Sequence, residues 1–314
     1  METSGPLTFQ HSDERRELGK SPPTMILCVV GLTVLAGAYF VSLATTEGAR
    51  RFWFAYLTSF AFMLSLSLGG LFFVMLQFLV RAGWSVAVRR PAEIIAANLP
   101  LLAIFFLPLL TKVLADHGTS YPWSSTISAR PTIEPVRLET GGDLPLAHFP
   151  AGSLPSRNAD SGKDSEQVYL NPKFFTARWI VFLVLWSALS LYFWKQSTAQ
   201  DIHGNPLITL SLQKLSGPGI AIVGLTLTFA SWDLLMSLSS GWLHPLMGVY
   251  FFTGAMTGFL SLHILILAGL QYRGIITRTV QPRHYHDLGR LLFGSVFLWA
   301  YVGLGQYFLI RYTD

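Results

Sequence analysis

An aspartate stands inside a strongly apolar stretch, where Asp233 follows Trp232 in the segment from Phe229 to Tyr250. The kink-prone part that follows contains Trp242, His244 and Pro245. A carboxylate at membrane depth is costly and marks a functional site by default. Asp233 is therefore predicted to be a proton-relay or quinone-site carboxylate. The alternative is an acid near the outer surface that backbone amides or serine hydroxyls satisfy.

A histidine also lies in an apolar run, as His263 in the segment from Leu262 to Leu267. An imidazole titrates near neutral pH, so His263 suits a proton relay or a hydrogen bond to a quinone. Ligation of a haem by two histidines would need a second histidine on a facing helix, and the sequence offers no good one. The other explanation is a buried histidine bonded to a serine or carbonyl of a neighbouring helix.

Glu93 follows the basic segment Arg89-Arg90-Pro91-Ala92. We expect it in the first turn of a helix, where the helix dipole favours an acid. The alternative is the mouth of a cytoplasmic proton path that Asn98 would continue.

The segment His284-Tyr-His-Asp287 has a spacing that suggests metal ligands at first sight. No further histidine or cysteine lies close in the sequence, which disfavours a metal site. Asp287 suits the N-cap of a helix, whose first amides lack partners within the helix. Proton entry at His284, His286 and Asp287, or a helix cap with a partner contact, accounts for the segment better.

The elements that position these residues follow from composition. Of the 314 residues, 51% are hydrophobic and only 12% are charged, whereas soluble domains carry about 25% charged residues. The chain is therefore predicted to be an integral membrane protein. Its single cysteine excludes a disulfide within the chain and argues against a thiolate-bound cluster or zinc site. The net charge of +5 requires no nucleic acid to explain it.

A helix needs about 20 apolar residues to cross a bilayer, and about seven runs qualify. The predicted fold is thus all-α, with spans near 24–45, 52–80, 92–114, 174–195, 217–239, 246–271 and 289–311. The predicted regions are an N-terminal segment 1–23, helices one to three in 24–114, a long loop 115–173, and helices four to seven in 174–314. Pro100 and Pro108 are predicted to interrupt the third span and Pro218 to open the fifth.

Lysine and arginine in the loops predict orientation, because short cytoplasmic loops are enriched in them. One side of the predicted membrane holds Arg15, Arg16, Lys20, Arg81, Arg89, Arg90, Lys195, Lys214, Arg273, Arg278, Arg283 and Arg290. Apart from the long loop, the other side holds Arg50, Arg51 and Arg311. The N-terminus is therefore predicted to be cytoplasmic. The long loop would then face the periplasm or exterior.

Several segments together resemble one protein family. They are Phe52-Trp-Phe-Ala-Tyr-Leu57, Leu68-Gly-Gly-Leu-Phe-Phe73, Arg81-Ala-Gly-Trp-Ser-Val-Ala-Val-Arg-Arg90, Tyr169-Leu-Asn-Pro-Lys-Phe-Phe175, Leu215-Ser-Gly-Pro-Gly219, Trp232-Asp-Leu-Leu-Met-Ser-Leu238, Gly248-Val-Tyr250, His284-Tyr-His-Asp-Leu-Gly289 and Trp299-Ala-Tyr-Val-Gly-Leu-Gly-Gln-Tyr-Phe-Leu-Ile310. In this order they resemble a polysulfide-reductase-like membrane subunit of bacterial alternative complex III. That complex is a quinol:cytochrome c or quinol:acceptor oxidoreductase of the inner membrane.

The resemblance implies a fold of two four-helix bundles. It implies as partners a sister membrane subunit, a periplasmic iron–sulfur subunit and multihaem cytochrome c subunits. Those partners would carry the haem and the iron–sulfur clusters, and quinone or menaquinone would bind to the complex. This chain itself would bind no cofactor. The sister subunit, nearer the iron–sulfur partner, is the better quinol site, and the subunit that this chain resembles is better suited to proton half-channels.

The resemblance also selects residues. The polar positions that match the family are Asp233, His284, His286, Asp287, Tyr301 and Gln306. Glu93 follows the family's basic run, and His263 has no family counterpart.

Two departures from the family follow. Its members continue beyond the seventh helix, so this chain would hold one four-helix bundle and part of a second. Either the chain is a fragment, or another polypeptide supplies the remainder. The loop between Trp123 and Tyr169 is also longer than the family implies.

Three functions follow as hypotheses. The first is a subunit, non-catalytic alone, that supports quinol oxidation and couples it to protons. The second is a structural membrane anchor for periplasmic redox subunits. The third is a transporter, which would be expected to show internal repeats or broken helices around a midplane site. No convincing repeat is visible in the sequence.

Overall fold

The computed structural model describes residues 24–43, 45–115, 169, 171–204, 206–238, 246–276 and 279–313. Within them the chain is helical. The α-helices are α1 Thr24–Ser42, α2 Thr46–Leu79, α3 Arg89–Ala96, α4 Leu99–Ala115, α5 Pro172–His203, α6 Pro206–Leu234, α7 Met247–Tyr272 and α8 Pro282–Thr313. The kink-prone residues Trp242, His244 and Pro245 lie outside the described residues, as does most of the predicted long loop.

Six spans of the described chain are long and apolar enough to cross a membrane: α2, α3 with α4, α5, α6, α7 and α8. The chain is therefore an all-α, multi-pass membrane protein. Helix α1 is also apolar, but its described apolar part, Val29–Ser42, is shorter than these spans. The predicted count of seven spans accordingly stays a prediction.

Helix α2 is the centre of the molecule. It is the most buried of the six spans and contacts α1, α3, α4, α6 and α7. Helices α4, α5 and α6 follow one another around it, so α2, α4, α5 and α6 close a four-helix ring. Helix α7 packs on both α2 and α6, and α8 packs on α7. The ring plus α7 and α8 matches the expected complete bundle with part of a second.

The starts of α6 and α8 differ most from the predictions. Pro218 lies inside α6, which begins at Pro206, so the prediction that Pro218 opens the span is wrong. Helix α8 begins at Pro282, seven residues before the predicted start. In both cases the helix begins in polar turns that precede the apolar run, because helical backbone hydrogen bonds also form where the sequence is polar. Asp287 is consequently inside α8, and the prediction that it caps that helix is wrong.

The third span is divided near its start. Helix α3 ends at Ala96 and α4 begins at Leu99. Pro100 is the second residue of α4, where a missing amide costs little. Without an amide, Pro100 leaves the Ala96 carbonyl without its helical donor, and the break falls at Ala97 and Asn98. Pro108 lies within α4 as predicted.

Glycines allow α2 and α7 to approach closely. A Cβ atom on Gly69 would lie 2.7 Å from the Cβ of Phe259 and 2.8 Å from the Ala255 carbonyl oxygen. The Gly254-x-x-x-Gly258 packing pattern does not form a single seam. Gly254 faces Trp299 of α8, whereas Gly258 faces Leu66 of α2.

Candidate functional site

An ion pair at one end of the bundle binds Asp233. Arg178, near the start of α5, donates from Nε to Asp233 Oδ2 at 2.8 Å and from Nη2 to Oδ1 at 2.6 Å. Asp233 is fully buried at the end of α6. Bidentate arginine–carboxylate pairs are among the strongest hydrogen-bonded pairs in proteins. The groups that donate to the Asp233 carboxylate are thus those of a guanidinium, and not the backbone amides or serine hydroxyls of the alternative interpretation.

Two aromatic rings hold the guanidinium in place. Its central carbon lies 3.9 Å from the ring centroid of Tyr169 and 4.8 Å from that of Phe174. Asn171 caps α5, because its Oδ1 accepts the Lys173 amide at 3.0 Å. The segment before α5 thus sets both the helix start and the surroundings of Arg178. We call Tyr169, Arg178 and Asp233 the Arg178 cluster, and this end of the bundle the Arg178 end.

Further donors surround the carboxylate. The Tyr169 hydroxyl and the Trp179 indole both face Asp233, but both fall outside hydrogen-bond geometry and are buried without a partner. The Trp232 indole nitrogen is likewise buried and unpartnered. Burial raises the pKa of the Tyr169 hydroxyl, and the Asp233 charge raises it further. This hydroxyl therefore keeps its proton.

A second cluster lies at the opposite end, around the buried Glu93. Arg89 Nε donates to Glu93 Oε1 at 3.0 Å, and Arg90 Nη1 donates to Oε2 at 2.7 Å. Ser197 Oγ of α5 donates to Oε1 at 2.7 Å. Arg90 continues to the Ser197 carbonyl at 3.0 Å and to the exposed Asp201. We call these five residues the Glu93 cluster, and this end of the bundle the Glu93 end.

The structure corrects the prediction for Glu93. Helix α3 begins at Arg89, so Glu93 is its fifth residue and lies beyond the first turn. Its carboxylate accepts hydrogen bonds from two arginines and a serine, and these donors, not the helix dipole, stabilise it. Asn98 is exposed at the break between α3 and α4 and does not extend the cluster into the bundle.

Aromatic rings occupy the interior between the two clusters. Arg178 and Ser197 are 19 positions apart on α5, which is about 28 Å along a helix. The ring centroids of Trp179 and Trp186 are 6.2 Å apart, and the Trp186 indole donates to Thr226 Oγ1 at 2.9 Å. Along this face, packed rings separate Asp233 from Glu93, the two acids for which roles in proton transfer are predicted. The buried residues of α5 between the clusters include Trp179, Phe182, Trp186, Ser190 and Phe193.

His263 is enclosed between α2 and α7. Its ring stacks on Phe259 with centroids 5.3 Å apart and lies 5.6 Å from Phe73. It adjoins the backbone of Val88, yet both ring nitrogens are buried and outside hydrogen-bond geometry. No second imidazole in the described chain lies close enough to His263 for a ring contact. The Phe73 and Phe259 rings beside it favour a packing role.

The remaining predicted residues do not meet in one site. His284 is buried, and its Nδ1 accepts the Gln281 amide at 3.0 Å, which orders the start of α8. His286 is exposed, and Asp287 lies 3.7 Å from Arg290 Nη1. Among the described residues, no three His, Cys, Asp or Glu side chains are grouped as metal ligands would be.

Two candidates near the other end of α8 also stand apart. Tyr301 is 68% exposed on the face of α8 that points away from the bundle. Gln306 is half-buried, and its Nε2 is enclosed without a partner. Neither is connected to the Arg178 cluster by a described hydrogen bond.

Arg178 is the candidate site residue that the sequence analysis does not name. Acids and imidazoles at membrane depth predict site residues because they are rare there. An arginine in the second turn of an apolar span is equally rare. The neighbouring Phe174, Phe175 and Trp179 were a second visible signal, since guanidinium groups favour aromatic faces.

Fold and site together define the class: a multi-pass, all-α membrane protein with a buried ionic cluster near each end of its helical bundle. No protein-family model matches the chain, and a search of the curated proteins finds no relative.

Proposed function

We propose that this chain is a membrane subunit of a quinol:electron-acceptor oxidoreductase of the alternative complex III type, located in a bacterial inner membrane. It is non-catalytic alone. Its partners are a sister polysulfide-reductase-like subunit, an iron–sulfur subunit and multihaem cytochrome c subunits. Those partners carry the haem and clusters, and quinone or menaquinone binds to the complex.

One observation carries the proposal: separate segments of the family resemblance converge in space. Tyr169, Asn171 and Phe174 belong to one segment and Asp233 to another, and all of them build or position the Arg178 cluster. Sequence segments that come together around one buried ion pair support a shared architecture more strongly than separate matches do.

Other resembling segments also lie at contacts between helices. Gly69 and Gly70 belong to the second resembling segment and permit the approach of α7 and α3 to α2. Arg89 and Arg90 end the third segment and hold Glu93. This placement supports a common fold as the cause of the resemblance.

The leading candidate role is to support quinol oxidation by providing a route for protons. The two clusters are the charged ends that such a route would connect, and the rings between them would have to rearrange for protons to pass. The role of a structural anchor is favoured by that same packing, because a closely packed interior suits a rigid support. A transporter has no such observation in its favour.

Co-purification tests the identity. The full chain, tagged in its native host, should purify with multihaem cytochrome and iron–sulfur subunits and with quinol:acceptor activity. An untagged strain is the control for non-specific capture. Isolation without redox partners, together with unchanged quinol oxidation in membranes lacking the chain, would contradict the proposal.

A charge-neutral pair distinguishes coupling from anchoring. Arg178→Gln combined with Asp233→Asn removes both charges and leaves neither partner buried alone. If the Arg178 cluster serves proton coupling, the assembled variant complex should translocate fewer protons per electron. An assembled complex with an unchanged ratio and rate would leave only the anchor.

A further inference from the structure

Helix α8 has one face on the protein and one face directed away from it. On the inner face Trp299 stacks on Tyr250, with ring centroids 5.6 Å apart, and Thr257 Oγ1 donates to Ser295 Oγ at 3.2 Å. Residues seven positions apart on a helix lie within about 20° of one another. The opposite face therefore forms one exposed stripe, which we call the outer stripe. It begins with Arg283, His286 and Arg290, continues with Phe293, Phe297, Tyr301, Leu304 and Phe308, and ends with Arg311.

The chemistry of the outer stripe changes along its length. Its first turns expose Arg283, His286 and Arg290, and the side chain of Arg290 is 71% exposed. The next exposed rings are Phe293 at 74% and Phe297 at 66%. From Arg290 to Phe308 the helix rises about 27 Å, close to the roughly 30 Å of a bilayer's hydrocarbon core. The cations thus lie at headgroup level, at the Glu93 end.

Few acids lie near these cations in the sequence. Asp287 is the only acid between Asp233 and Asp314. Its contact with Arg290 is long, at 3.7 Å, which leaves donors of that guanidinium free for another acceptor. Guanidinium groups bind phosphate through paired hydrogen bonds, and cationic residues next to membrane helices attract anionic lipids.

We propose that the first turns of the outer stripe bind an anionic phospholipid of the leaflet at the Glu93 end. Arg283, His286 and Arg290 face its phosphate, and Phe293 and Phe297 carry its acyl chain. The occupant is a lipid because, apart from Arg311 at the far end of α8, the cations cluster in the first turns. The stripe beyond them is apolar over the thickness of a bilayer, which matches a headgroup followed by a chain. The site is independent of the redox role.

Lipid titration followed by native mass spectrometry tests the site on the full-length protein, delipidated in detergent. The probes are phosphatidylglycerol and phosphatidylcholine, with free inorganic phosphate as competitor. We expect preferential retention of phosphatidylglycerol. Arg283→Gln with Arg290→Gln should weaken its binding roughly thirtyfold, from the loss of two cations near a membrane surface. Both side chains are exposed, so folding should be unaffected, and thermal unfolding checks this.

Lys195→Gln is the matched control, because Lys195 is an exposed cation at the same end of the bundle but on α5. It should retain wild-type binding of phosphatidylglycerol. Equal retention of the two lipids, an unaffected double variant, an equal loss in Lys195→Gln or displacement by free phosphate would each overturn the proposal. In the native complex, a photoreactive group at Phe293 should crosslink to lipid; crosslinking to a partner subunit instead would also overturn it.

Discussion

Asp233 and Arg178 depend on each other, because each is a buried charge whose counter-charge is the other. Removing one partner of a buried pair typically costs about 3–5 kcal/mol, whereas replacing both by apolar residues is often neutral. We therefore expect Asp233→Leu to destabilise the protein by that amount. Arg178→Met together with Asp233→Leu should regain most of it. A double-mutant cycle of thermal unfolding in detergent measures the coupling, and additive losses would contradict it.

Ser197 supports Glu93 across 104 positions of sequence. A hydrogen bond to a charged group is worth about 1.5–3 kcal/mol, so Ser197→Ala should lower the free energy of unfolding by that amount. Thr198→Ala is the control, because the Thr198 hydroxyl bonds only to carbonyls of its own helix, those of Trp194 and Lys195. Chemical denaturation in mixed micelles compares the two, and equal losses would show that the Glu93 contact carries no special weight.

At the residue scale, the sequence indicates which groups matter better than what they bind. The rarity of acids at membrane depth predicts Asp233 and Glu93 as important positions. No local pattern pairs Asp233 with an arginine 55 residues earlier, because that contact depends on how α5 and α6 pack. Tyr301 matches the family pattern but lies on the outer stripe, since a motif does not specify which face of a helix turns inward.

Gly69 determines how closely α2 and α7 approach. A Cβ atom there would overlap the Ala255 carbonyl, which is backbone and cannot rotate away. Overpacking of this kind costs about 1–3 kcal/mol, so Gly69→Ala should destabilise the bundle. Gly224→Ala on α6 is the control, because its Cβ meets no atom within 4 Å and alanine favours a helix by up to about 1 kcal/mol. Thermal unfolding of the two variants decides, and a stable Gly69→Ala protein would refute the close approach.

At the element scale, hydropathy predicts the existence of a helix and misplaces its ends. Helices α6 and α8 extend beyond their apolar runs, since Pro206 and Pro282 can start a helix in polar sequence. The break between α3 and α4 follows from Pro100, which is visible in the sequence. The order of helices around α2 could not be predicted, because many helices have apolar residues on several faces.

The whole molecule has a direction that its charges predict. Because cytoplasmic loops are enriched in lysine and arginine, we expect the Glu93 end in the cytoplasm. Among the described residues, the cations at that end are Arg81, Arg89, Arg90, Lys195, Lys214, Arg273, Arg283 and Arg290. Those at the Arg178 end are Arg50, Arg51, Lys112, Lys173, Arg178 and Arg311.

Thiol labelling tests this orientation in a Cys28→Ser background, which removes the only native thiol. A membrane-impermeant maleimide applied to intact spheroplasts should label Arg50→Cys, and should label Arg283→Cys only after lysis. Each variant is also labelled in detergent, as a control for thiol reactivity. Labelling of Arg283→Cys before lysis would reverse the orientation and would move the lipid site at the start of α8 to the opposite leaflet.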